Sequence, residues 1–137
     1  MNDTIERLEK HVWAPTEYDS YLVTTCHALR KKPLPLFEIE DLRIMIGQGI
    51  GMDYLVPLAI EQLKANIFAE GHFYAGDLLK SILTSHETYW LIERKNWKAV
   101  CDLVEENMDA IKSFHTIKSI KEGWLEAYTL FKSLHKS

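Results

Sequence analysis

Residues 33–83 read PLPLFEIEDLRIMIGQGIGMDYLVPLAIEQLKANIFAEGHFYAGDLLKSIL. Three apolar runs at helical spacing lie in this stretch, separated by two turns that carry glycine. The first spans about 39–46, with Ile39, Leu42 and Ile46 at i, i+3 and i+7. The second spans about 53–65, where Leu55, Leu58, Ala59 and Leu63 share one side and Val56 and Ile60 widen it. The third spans about 73–83, with Ala75, Leu78, Leu79, Ile82 and Leu83 on one face. Such spacing lays apolar side chains along one stripe of a helix with 3.6 residues per turn. Between the first two runs, Gly47, Gly49 and Gly51 predict a sharp helix–helix turn that needs positive φ. A phosphate-cradling loop would follow a strand and open a helix. Here a helix precedes the glycines and no basic residue follows within reach, which favours the turn.

The flanks continue the pattern. Asp3 with Glu6 offers a capping box before Ile5, Leu8 and Val12, with Trp13 beside them and Pro15 as a stop. Thr16 with Asp19 offers a second cap, followed by Tyr18, Tyr21, Leu22, Thr25, Cys26 and Leu29 at helical spacing. Arg30, Lys31 and Lys32 then read as a solvated basic end that suits the negative pole of a helix C-terminus. Pro33 and Pro35 force an extended connector. Beyond residue 83, Thr84 to Glu87 resembles another capping box, leading into Tyr89, Trp90 and Ile92. A further run places Trp97, Val100, Cys101 and Val104 on one face and Asp102, Glu105 and Glu106 on the other. From 109 to 134 the spacing is helical throughout, a span long enough to expect a break near 118–119, where Ser119 and Glu122 form a cap pattern. No stretch shows sustained period-two alternation with β-branched enrichment. The expected fold is all-α: a single helical domain over 1–137 with seven or eight helices, arranged as a bundle or a curved helical array.

Within 33–83, five short motifs follow one another: PL at Pro33–Leu34, EDLR at Glu40–Arg43, IGQGIG at Ile46–Gly51, YLVPLA at Tyr54–Ala59 and AEGHFYAGDLL at Ala69–Leu79. In this order they resemble the small immunity proteins of bacterial contact-dependent growth inhibition systems. The resemblance implies a protein made beside a toxin, whose C-terminal domain, often a nuclease, it neutralises by binding. The segments on either side of 33–83 lie outside the resemblance and are where the choice of partner would reside.

Composition agrees with a binding protein. The chain has 137 residues, 47% of them hydrophobic, which suits one core and argues against disorder. Sixteen basic against twenty acidic residues leave a net charge of −4. That is a poor start for holding phosphate backbones directly and a reasonable one for holding a basic protein. The polar N-terminus has no apolar signal core, and no run reaches the length of a membrane helix. A cytoplasmic protein without membrane contact is therefore expected. Its two cysteines, Cys26 and Cys101, read as reduced, buried thiols.

The six histidines, at 11, 27, 72, 86, 115 and 135, are scattered and show no metal-ligand spacing. No cofactor or metal is expected. The densest polar group is Glu70, His72, Tyr74 and Asp77, with His86 and Glu87 beyond. A small helical enzyme using Glu70, His72 and Asp77 for acid–base work is the rival class, and HEPN ribonucleases are its nearest model. Those enzymes place an Arg four to six residues before a His on one helix. Here only Arg7 precedes a nearby histidine, His11, with three residues between, so the pattern is not met. For the binding reading, the candidate contacts are Glu70, Asp77, Glu87, Asp102, Glu105 and Glu106, chosen for charge and expected exposure. Tyr89 and Trp90 are adjacent, so both cannot face the core squarely, and one or the other is the candidate aromatic anchor.

Overall fold

The computed structural model describes residues 3–14 and 20–135. Among these residues are nine α-helices, against the seven or eight expected: α1 (Ile5–Glu9), α2 (Tyr21–Arg30), α3 (Ile39–Gly47), α4 (Met52–Ala65), α5 (Asp77–Leu83), α6 (Glu87–Ile92), α7 (Arg94–Glu106), α8 (Met108–Ser113) and α9 (Lys118–Lys132). A 3-10 turn at Leu34–Leu36 joins α2 to α3. The described residues hold no strand, and the isolated bridge between Glu70 and Ala75 closes a loop. The all-α reading therefore holds.

The central stretch builds the middle of the molecule. α5 lies between α3 and α9, and α4 packs on α3 and α7. The helical stripes meet there: Met45, Leu55, Val56, Leu78, Leu79, Ile82 and Trp124 are almost wholly withdrawn from water. The turn between α3 and α4 is made as the glycines suggest, with Gly49 at φ +71° and Gly51 at φ +66°. That is the left-handed region, which favours residues without a Cβ. α9 closes the core from the other side. Its Phe131 ring packs edge-on against Trp90, with centroids 5.0 Å apart, and its Phe131 carbonyl accepts the Trp97 indole N–H at 2.8 Å.

Several local expectations are corrected. α1 stops at Glu9 because Lys10 adopts φ 54°, so Trp13 lies off that helix. Thr4, rather than Asp3, is the N-cap, accepting from the Arg7 amide at 3.2 Å. The cap proposed at Thr16 and Asp19, with Pro15 and Tyr18, lies outside the described residues; α2 as described is capped by Ser20, which accepts from the Val23 amide at 3.1 Å. α5 begins at Asp77 rather than near 73, because Gly76 stands at φ +88° and breaks the run. Neither Thr84 nor Ser119 caps a helix: the Thr84 hydroxyl donates back to the Lys80 carbonyl at 2.7 Å, and α6 and α9 start after His86 and Ile117 without side-chain caps. The long C-terminal span does break, between Ser113 and Lys118.

In the basic run at 30–32 only Lys31 is solvated as expected. Arg30 is 1% exposed. Its guanidinium donates to the Glu9 carboxylate and the His11 carbonyl and lies 4.5 Å from the Trp13 ring centroid. Lys32 pairs with Asp41 at 2.6 Å. These cations tie α2 to the end of α1, to the segment after it and to α3, a use that only distant partners in the chain reveal.

Candidate partner-binding surface

Two of the motifs carried by the central stretch meet at one buried ionic cluster. EDLR puts Glu40 and Arg43 one turn apart on α3, and Arg43 donates to both Glu40 oxygens, at 2.6 and 2.7 Å. AEGHFYAGD wraps residues 70–76 over that pair. The Asp77 carboxylate, at the first residue of α5, accepts the amides of Gly71 at 2.6 Å, Phe73 at 3.0 Å and Tyr74 at 3.4 Å. Glu40 accepts the amide of His72 at 2.9 Å, and Arg43 Nε stands 3.9 Å from Asp77. The Arg43 hydrogen bonds hold the Glu40 carboxyl below its usual range, outweighing the opposite effect of burial. Four successive amides, 71 to 74, thus end on two carboxylates. The cluster orders a loop that would otherwise expose its backbone donors.

That geometry answers the acid–base reading of Glu70, His72 and Asp77. Asp77 is 3% exposed and its oxygens are engaged by backbone amides. His72 is exposed and faces Glu40, with Nδ1 to Oε2 at 3.6 Å. Glu70 is exposed. The three are not assembled as a carboxylate–imidazole pair. Asp77 is also withdrawn from the set of surface contacts, because its role is to hold the loop from within.

The other candidate contacts fall on separate faces. Asp102 and Glu105 line a groove of about 530 Å³ between α7 and α9, with Trp97, Cys101, Tyr128 and Lys132. Tyr128 donates its hydroxyl to Glu105, and Lys132 Nζ is 3.4 Å from the same carboxylate. The Tyr128 hydrogen bond, with Lys132, lowers the Glu105 pKa, and burial raises that of Tyr128. Cys101 in this groove is free, as is Cys26. Burial pushes the Cys101 thiol up to about 11, so it stays protonated and is no nucleophile at neutral pH. Glu106, one position along α7, turns to a shallower hollow with Lys64, Ala99 and Leu103. Glu87 edges a third, with Gly47, Thr84 and His86.

Tyr89 and Trp90 divide as their adjacency requires. Trp90 is 0% exposed, and its indole N–H donates to Ser85 Oγ at 2.7 Å. It is a core residue and leaves the anchor role. Tyr89 is half-buried, its hydroxyl accepting from Asn96 Nδ2 at 2.9 Å, and burial raises its pKa. Two large aromatics among the described residues stand out into water: Tyr21 on α2, 77% exposed, and Phe73, 69% exposed and outside any helix. The available signal for Phe73 was its place between Gly71 and Gly76, in a segment that forms no helix.

Among the described residues no group of three His, Cys, Asp or Glu side chains could hold a metal ion, and no helix is long and apolar enough to cross a membrane. Compared with known proteins, residues 7–100 match the family model of the CDI immunity proteins. The match reaches well beyond the motifs of 33–83, taking in α2, all of α6 and the first half of α7. No curated protein and no solved structure matches the chain.

Proposed function

Since the chain belongs to the family of CDI immunity proteins, we propose that it neutralises the C-terminal toxin domain of a contact-dependent growth inhibition system by binding it one to one. The family match over residues 7–100 carries this reading. The toxin domain in this account is a nuclease with a basic cleft, met in the cytoplasm, and the chain covers that cleft or a surface beside it without making or breaking a bond.

Charge and shape support it. The net charge of −4 favours encounter with a basic partner. Glu70, Glu87, Asp102 and Glu106 are all exposed, and Tyr89 is half-buried. An interface of standard size would bury on the order of 1,600 Å², more than any one of the three hollows supplies, so the contact spans helices. The test is titration of the neighbouring toxin domain with the pure chain while its nuclease activity is followed. Activity should vanish at one equivalent, and cells should tolerate the toxin domain only when the chain is co-expressed. Persistent nuclease activity at several equivalents would refute the proposal, and so would RNA cleavage by the chain alone.

A further inference from the structure

Phe73 is left 69% exposed on a loop that is otherwise tied down on every side. The amides of residues 71–74 end on Asp77 and Glu40, and the Gly76 amide donates to the Phe68 carbonyl at 3.0 Å. The ring itself is held: the Arg43 guanidinium lies 4.4 Å from its centroid, and Arg43 is fixed in turn by its two bonds to Glu40. One face of the ring rests on this cation, while much of the ring remains in water. A rigid, exposed aromatic is unfavourable in the free protein. It is what a hot spot requires, because little order remains to be lost on docking.

We propose that Phe73 is the anchor by which this chain docks onto its toxin domain, entering an apolar depression on that domain whose rim places a basic side chain opposite Glu70. The proposal rests on the reading above and adds the residue and the loop that make the contact. Glu70 is exposed, has no ion pair among the described residues, and closes the loop by its bridge to Ala75. A basic partner therefore fits this knuckle, whereas a second copy of a chain with net charge −4 would set like charges together. The buried carboxylates beneath the loop act as positioning residues: they aim Phe73 and touch no partner.

Hydroxyl-radical footprinting of the full chain, alone and with saturating toxin domain, tests the contact in the unmodified protein. Phe73 should be oxidised readily in the free chain and at least roughly fivefold less in the complex, as for a residue at the dry centre of an interface. In parallel, Phe73→Ala should raise the Kd by about 30-fold or more, the scale of a hot-spot truncation, with an unchanged circular dichroism spectrum. Equal oxidation in the free and bound chain would overturn the proposal whether or not the variant folds, and an affinity within about twofold of the parent would overturn it too. Protection of Phe73 in the chain alone as concentration rises would assign the loop to self-association and overturn it as well. If the parent chain silences the toxin and Phe73 stays reactive, this inference falls alone. If the parent chain does not bind the toxin, the proposed function falls with it.

Discussion

The indole N–H of Trp124 donates to the carbonyl of Gly76 at 3.1 Å, and the ring lies so close that a Cβ added to Gly76 would come within 2.2 Å of it. A single glycine thus joins the loop of residues 70–76, the start of α5 and the middle of α9. Two independent costs follow for Gly76→Ala. The residue stands at φ +88°, which costs an L-residue roughly 1–2 kcal/mol. Displacing a buried ring from a packed core adds roughly 1–3 kcal/mol. The variant should lose about 2–5 kcal/mol in urea denaturation with an unchanged m-value. A midpoint equal to that of the parent would show that the ring and loop shift freely, and would remove this contact as a determinant of the fold.

Ser85 gives a second, smaller test. Its hydroxyl donates to the Ile82 carbonyl at 2.7 Å and accepts the Trp90 indole N–H at the same distance. Trp90 is fully buried, so Ser85→Ala leaves a donor with no acceptor in an apolar setting. Such a loss costs about 1–3 kcal/mol. Calorimetric melting of the variant checks it. An unchanged melting temperature would mean that the indole finds another acceptor.

These two positions show where sequence patterns speak and where they fall silent. The stripes of α3, α4 and α7 were largely legible because their apolar spacing is local and their burial follows from it: Leu42, Leu55, Ala59, Val100 and Val104 are all core, whereas Leu58, placed on the same side of α4, is 37% exposed. The glycine turn at 47–51 was legible for the same reason. The sites were less so, because their partners are distant in the chain. Arg30 reads as a solvated cation until Glu9 and Trp13 fold back on it. Asp77 reads as a surface carboxylate until the loop before it turns its amides inward. Adjacency of Tyr89 and Trp90 kept both from facing the core squarely, yet only the Ser85 acceptor and the Phe131 ring decide which one does. Phe73 looked like the first residue of a helix, and it is exposed because Gly76 starts that helix later.

The cluster beneath that loop should make stability depend on acid in a definite direction. Glu40 has its pKa lowered from 4.5, chiefly by the Arg43 hydrogen bonds. A carboxylate depressed in the folded state contributes stability that is complete above its unfolded pKa and is lost as pH falls through the folded value. The parent chain should therefore weaken below about pH 4.5, where the unfolded state begins to take up protons first. Glu40→Gln should start about 2 kcal/mol less stable at neutral pH, for want of its ion pair. It should then show a flatter decline between about pH 5 and about pH 3. Urea midpoints measured across that range for both proteins check this. Parallel slopes would mean that Glu40 titrates alike in the folded and unfolded chains.

Glu105 and Glu106 are neighbours in sequence with different duties, and charge reversal should separate them. Glu105 accepts from Tyr128 and lies 3.4 Å from Lys132. Glu105→Lys would set two cations together and deprive the Tyr128 hydroxyl of its carboxylate, so it disturbs the α7–α9 packing along with any docking. Glu106 is exposed and has no ion pair among the described residues, so Glu106→Lys changes the field and little else. Its melting temperature should stay within about 1 °C of the parent, as for a surface substitution that breaks no contact. If the α4–α7 face meets a basic toxin domain, its association rate should fall by about three- to tenfold at low salt, and the difference should shrink as salt screens the charges. Stopped-flow association at two ionic strengths reads this directly. An unchanged rate at low salt would remove Glu106 from the docking face, leaving the 70–76 loop and the α7–α9 groove as the surfaces to map.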